Sequence, residues 1–296
     1  MTRDSRYPSI GQAAVLFACY LALTFGLGLL VHVMETATGR MLGGDPIILA
    51  SISASTMVAV LGWGCWRRGE AARGVFAFRP VPAALIMPIV VTVLGLHVLL
   101  SEADNVVRAV WPMPEAVAAV FKTLVEGGRG MPATVLILLV AAPVVEELLF
   151  RGLILTGFLA RYPAGIAVPA SALVFTAFHL NPWQVVAPFV LGLLFAWWFL
   201  RTRSLLPAIL GHAVNNAIPV LVSLVPSVRI PGYSYGGDPG GPAVFHPWWL
   251  NLAGVALSAA GLFWLIVLFR HSASRMSVVR YQENMEGGGS QVEGGR

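Results

Sequence analysis

Glu146-Glu147-Leu148-Leu149-Phe150-Arg151-Gly152 sets three ionisable side chains inside an apolar block that runs over 131–160. An ionised group at membrane depth is costly, so it is held by a partner and by default marks function. Blocks of about twenty apolar residues suffice to cross a hydrocarbon core of roughly 30 Å as helices. Reading outward from the heptapeptide, such blocks lie near 11–34, 46–66, 82–101, 131–160, 163–180, 183–200, 204–225 and 247–269, with Pro, Gly and charge in the spacers. The pattern predicts an all-α, polytopic transmembrane helix bundle of about eight spans. Composition agrees: 57% of residues are hydrophobic and 11% charged, against roughly 25% charged in soluble domains, and the mean hydropathy is +0.78.

Basic residues set the expected orientation. With a cytoplasmic N-terminus, the inner segments hold Arg3, Arg6, Arg67, Arg68, Arg73, Arg79, Arg161, Arg201, Arg203, Arg270, Arg275, Arg280 and Arg296. The outer ones hold Arg40, Arg108, Lys122, Arg129 and Arg229. By the positive-inside rule both termini face the cytoplasm. The first block follows Arg3 and Arg6 but is long and lacks a small-residue cleavage site before Glu35, so it is expected to stay as a span. Cys19 and Cys65 fall in spans and imply no disulfide framework. No nucleic-acid-binding module is discernible; anionic lipid headgroups suit the basic face better.

One integral domain is expected over 1–271, with its motif core at 131–225, and a flexible cytoplasmic tail over 272–296 that is rich in Gly towards its end. Val117, Val120, Phe121 and Leu124 recur at helical spacing and suggest an interfacial helix over 115–125, packed on the mouth of the bundle.

Two further polar intrusions accompany the heptapeptide, Phe175-Thr176-Ala177-Phe178-His179 and His212-Ala213-Val214-Asn215-Asn216. On a helix Glu147 and Arg151 share a face in the favourable acid-before-base order. Glu146 points about 100° away. With arginine pinned to one carboxylate, the other is free to take and give protons, as a general base must. At 1.5 Å per residue from the cytoplasmic ends, Glu146 lies about 21 Å deep, His179 about 24 Å, His212 about 12 Å and Asn216 about 18 Å. Three spans could therefore bring these groups to one layer. His32 and His97 have no polar partner at helical spacing and are assigned to structure.

Glu-Glu-x-x-x-Arg, Phe-x-x-x-His and His-x-x-x-Asn, in this order on three spans, resemble the three motifs of the CAAX protease and bacteriocin-processing (Abi) family of intramembrane endopeptidases. The resemblance covers roughly residues 131–225. It implies peptide-bond hydrolysis in which Glu146 and His179 hold and deprotonate a water. His212 and Asn216 would donate to the developing oxyanion, and Glu147 and Arg151 would hold the site together. No cofactor is favoured, although Glu146, His179 and His212 are sufficient ligands for a catalytic zinc ion. The His-Glu-x-x-His spacing is absent and Asn216 is a poor zinc ligand.

Serine and aspartyl mechanisms lack their residues within the spans. A scaffold or immunity-type protein retaining the polar motifs is the non-enzymatic alternative. A proton-coupled transporter would show inverted repeats, and none is discernible. The expected substrate is a membrane-embedded or lipidated protein or peptide, met in the bilayer. The Gly-, Ala- and Arg-rich, Lys-poor composition suggests a bacterial plasma membrane.

Overall fold

The computed structural model describes residues 3–40, 42–115, 117, 136–225, 227, 229–233 and 243–289, with Pro46, Glu70, Ser223 and 272–289 described by backbone alone. The interfacial helix expected over 115–125 falls largely outside the described residues. Among those described there is no strand.

Helix α1 (Ile10–Thr38) starts in a capping box, where Ser9 and Gln12 exchange side chain-to-backbone bonds, and stops at Gly39 in the left-handed conformation (φ 67°). Helix α2 (Pro46–Arg68) is capped by Asp45, which accepts from the Ile47 N–H at 2.8 Å, and opens on a proline, whose missing N–H costs nothing there. Helix α3 (Ile86–Val110) follows a short 3-10 turn. Next comes α4 (137–159), then α5 (Ala164–Phe178), α6 (Val186–Thr202), α7 (Leu206–Ser223) and α8 (Trp248–Gly289).

Four helices are long and apolar enough to cross a membrane: Ile10–Thr38, Ile47–Arg68, Ala83–Val110 and Trp248–His271. Large apolar side chains such as Phe25, Leu29, Trp248 and Phe263 project outward, as suits contact with lipid. The other four expected spans correspond to α4 and to three shorter apolar helices. At 15 and 17 residues, α5 and α6 are roughly 22 and 26 Å long, less than the hydrocarbon thickness. They are joined by residues 179–185, which hold a short 3-10 helix at Pro182–Gln184, so α6 begins at Val186 rather than at 183. The tail expected to lack structure from Ser272 keeps helical backbone to Gly289. Residues 272–286 contain no Pro or Gly, so a helix nucleated by the packed span can propagate one bond at a time.

Helix α4 carries the heptapeptide and is unusual in its winding. A π-helical stretch Ile137–Ala141 precedes an α-helical segment Ala142–Glu147, then a second π-helical stretch Leu148–Leu155 and a last α-helical turn Thr156–Leu159. Wide turns weaken the backbone ladder, and side chains from neighbouring helices bond its carbonyls. Ser171 donates to Phe150 O at 3.4 Å and Arg68 to Leu153 O at 3.4 Å. Such stretches concentrate at functional sites.

Two apolar clusters make the core. One gathers Leu149, Phe150, Leu153, Ile154 and Phe158 of α4 with residues of α1, α2 and α5, among them Leu16, Val60, Phe175 and Phe178. The other joins α3, α6, α7 and α8 through Ile89, Val93, Phe195, Trp198, Leu265 and others. Helices α3 and α8 pack closely because Gly95 and Gly261 carry no Cβ: one on Gly95 would sit 2.7 Å from Gly254 O, and one on Gly261 2.6 Å from Thr92 N. The polar residues of the motifs lie in the seam between the two clusters.

Candidate active site

Glu147 and Arg151 are both fully buried, and their side chains meet at 2.9 Å (Arg151 Nη1 to Glu147 Oε1). Their four-residue spacing delivers the expected pair. A buried pair depends on its neighbours for the rest of its hydrogen bonding, and here that is met in part, with Glu147 Oε2 and Arg151 Nε lacking a partner among the described residues. Arg151 Nη2 donates to the Gly192 carbonyl at 3.3 Å. Its guanidinium lies 4.4 Å from the Phe175 ring centroid and 5.3 Å from that of Phe195, a cation–π arrangement on two sides. Gly192 is required for this approach, since a Cβ there would lie 2.9 Å from that of Ala172 and push α6 off α5.

His212 joins the same carboxylate. Its Nδ1 lies 2.9 Å from Glu147 Oε1. An ionised carboxylate only accepts, so Nδ1 carries the proton and Nε2 is turned the other way. There it faces Glu146 Oε2 at 3.7 Å. Both glutamates thus flank one imidazole, a link that helical spacing within α4 does not contain. With its proton on Nδ1, a neutral ring would present a lone pair to a carboxylate. Glu146 Oε2 is itself buried with no hydrogen-bond partner among the described residues. The imidazole is stacked on Phe195 (centroids 5.7 Å apart, planes at 29°) and meets the edge of Phe175 at 5.9 Å. Gly211 makes room for this stack: a Cβ there would lie 3.0 Å from Phe195 Cε1.

His179 ends α5. Its Nδ1–H donates to the Phe175 carbonyl at 2.8 Å, which leaves Nε2 as the basic nitrogen. The next residue, Leu180, has φ 50° and turns the chain sharply, and Asn181 then caps the short turn by accepting from Trp183 N–H at 3.1 Å. His179 packs against Phe175 at 4.7 Å and lies within electrostatic reach of Glu146, His212 and Arg151. It is exposed where Glu147, Arg151 and His212 are buried, which makes it the motif residue of this group nearest the surface.

Asn216 sits one turn beyond His212 but bonds elsewhere. Its Nδ2 donates to Leu138 O at 3.0 Å. That carbonyl lacks a backbone donor for a reason visible in the sequence: the Ala142 N–H goes to Ile137 O, and Pro143, next in line, has no N–H. The structure also adds residues that the motif spacing did not single out. Asn215 Nδ2 donates to Asn216 Oδ1 at 3.4 Å, and His97 Nδ1 lies 3.1 Å from Asn215 Oδ1. His97 and Asn215 are 118 positions apart, and no local pattern could have paired them. The adjacency of Asn215 to Asn216 was the one available signal.

The arrangement therefore joins Glu146, Glu147, Arg151 and His212 directly, sets His179 at its mouth and ties Asn216 to α4. Among the described residues no group of three His, Cys, Asp or Glu side chains is placed to hold a metal ion.

Buried carboxylates and histidines on converging apolar helices define the class, a membrane protein with an intramembrane polar site. Residues 129–218 match the model of the Rce1-like family, described as type II CAAX prenyl endopeptidase Rce1-like. The matched segment carries all three motifs and excludes α1, α2, α3 and α8, so the resemblance read from the motifs is borne out where they lie. No curated protein and no solved structure matches the chain.

Proposed function

We propose that this chain is an intramembrane endopeptidase that hydrolyses a peptide bond in a membrane-embedded or lipidated protein or peptide. The observation that carries the reading is the pair Glu146 and Glu147 on either side of His212, within the segment that matches a protease family. Glu146, the carboxylate without an arginine bond, takes a proton from a water held between it and His179. The water oxygen bonds to the scissile carbonyl carbon, and the carbonyl electrons move onto oxygen. Asn216 donates to that oxyanion, as does His212 from Nε2 when a second proton is carried there, each donor worth on the order of 3–4 kcal/mol in acyl-transfer enzymes. Collapse breaks the C–N bond, and the proton on Glu146 passes to the leaving amine. Glu147 and Arg151 keep the site in register. No step is routed through a metal.

The membrane setting is proposed to be a bacterial plasma membrane, with both termini cytoplasmic. Glu146→Gln and His179→Ala, each purified in nanodiscs, are the test, read with a quenched fluorogenic farnesylated CAAX peptide and by mass spectrometry of co-reconstituted membrane proteins. Each variant is expected to lose at least 100-fold in turnover, the range for a positioned general base. Cleavage at wild-type rate by both variants would overturn the catalytic assignment of Glu146 and His179, and absence of cleavage by the wild type would leave a scaffold reading in its place. Activity that falls with a chelator and returns with zinc would reinstate a metal mechanism.

A further inference from the structure

The direction of the hydrogen bonds from α4 to α3 is fixed by what each atom can do. Leu138 O can only accept, so the Asn216 side chain must turn its Nδ2 towards α4. Its Oδ1 then faces Asn215, which must turn Nδ2 to meet it. Asn215 Oδ1 is thereby left facing His97, and since that oxygen only accepts, His97 Nδ1 must carry the proton. The chain has one consistent polarity, set at one end by a carbonyl that Pro143 leaves free and at the other by an imidazole. His97 is suited to that end. It is 7% exposed, its ring meets the Tyr233 ring edge-on at 5.9 Å, and Nε2 has no hydrogen-bond partner among the described residues. A proton on Nδ1 is the one its surroundings can use.

We propose that His97, on α3 and outside the matched segment, is a positioning residue for the site: through Asn215 it secures the far side of the Asn216 amide, whose near side Leu138 O holds. Without the His97 donor, the Asn215 amide can reverse. Asn216 is then held in this orientation by Leu138 O alone, at one end of its amide instead of both. With it, one Asn216 N–H is held by Leu138 O, and the second, one turn from His212, stays available to a reacting carbonyl. The inference rests on the proposed protease reading for its effect on turnover, but not for the geometry of the relay. Tyr233 and the outer residues around it gain a role as well, since they clamp the ring whose proton orients the pair.

Three variants and one spectroscopic measurement test this. His97→Leu removes the donor. His97→Asn keeps one, because its Nδ2 occupies nearly the position of the imidazole Nδ1. Asn215→Leu cuts the relay from the other side and serves if His97→Leu does not fold. With the farnesylated CAAX peptide as probe, His97→Leu and Asn215→Leu are expected to lower kcat roughly tenfold or more, the scale of a misplaced catalytic group, with KM within about twofold. His97→Asn is expected to restore kcat to within about threefold of wild type. Equal kcat in His97→Leu and His97→Asn would overturn the proposal. Independently of any substrate, 15N-histidine NMR of the full chain in nanodiscs is expected to show His97 in the Nδ1–H form, with that proton slow to exchange. Asn215→Leu should abolish the protection. A ring protonated on Nε2, or one unaffected by Asn215→Leu, would also overturn it. If wild type cleaves no probe, the protease reading fails and the NMR result alone decides the relay.

Discussion

Arg151 and Glu147 contribute unequally to the stability of the seam, and the reason lies in what each can do when its partner is removed. Glu147 has a second partner in His212 Nδ1 and can take up a proton. Arg151 cannot give one up in practice, and it is packed between two aromatic rings. In Glu147→Gln the guanidinium remains charged and buried, with Glu146 the remaining carboxylate within electrostatic reach. Removing one partner of a buried pair costs about 3–5 kcal/mol. In Arg151→Met the apolar chain keeps the ring contacts, and the loss approaches that of a buried acceptor left unpaired, about 1–3 kcal/mol. Thermal unfolding in detergent should therefore give a lower Tm for Glu147→Gln than for Arg151→Met. The reverse order would mean that Glu147 is not the principal counter-ion of Arg151.

At the scale of the element, Pro143 is the residue that shapes α4. Pro143→Ala returns an N–H beside Leu138 O, so the backbone can compete with Asn216 for that carbonyl. The variant is expected to be at least as thermostable as wild type, because Pro is disfavoured in a helix by about 3 kcal/mol relative to Ala. Its turnover of the CAAX peptide is expected to fall, because α7 loses its tie to α4. Unchanged turnover would show that Asn216 does not depend on Leu138. This element also marks the limit of what the sequence made legible. Hydropathy located the long helices, and i, i+4 spacing found Glu147 with Arg151. The π-helical stretches left no trace in the apolar pattern, since they alter which amide bonds which carbonyl and not which residues are apolar. Spacing likewise put Glu146, His179, His212 and Asn216 on the right helices but could not say that His212 bonds Glu147. His97 was assigned to structure because its partner lies on another helix, and a purely local reading has no access to that.

For the whole molecule, the structure gathers the loops at two opposite ends. At one, Arg161 pairs with Asp4 and bonds Arg6 O, the Asp4 N–H donates to Arg67 O at 3.0 Å, and Arg68 bonds Thr156 at 2.6 Å. Ser204 bonds Arg79 O at 2.6 Å and the Leu205 N–H bonds Ala77 O at 2.9 Å, bringing the spacers before α3 and α7 together. These are the segments in which the arginines concentrate. At the other end Glu102 accepts from the His246 and Asn251 N–H groups, and Asn105 bonds Gly232 O at 3.0 Å, with few basic residues nearby. By the positive-inside rule the first end is expected to be cytoplasmic. His179 stands roughly 22 Å along α5 from it, towards the arginine-poor end. The approach to the site is then expected to open laterally or to the outer side, which suits a substrate whose scissile bond lies within or beyond the bilayer centre. Two measurements check this together. A fluorescent protein fused after residue 271 should fluoresce in cells while alkaline phosphatase inserted at residues 42–45 is active. With Cys19 and Cys65 replaced, a cysteine at Leu180, 46% exposed, should react with a membrane-impermeant maleimide added from outside. Labelling from the inside alone, with the fusions as expected, would place the entrance on the cytoplasmic face and favour a substrate presented there.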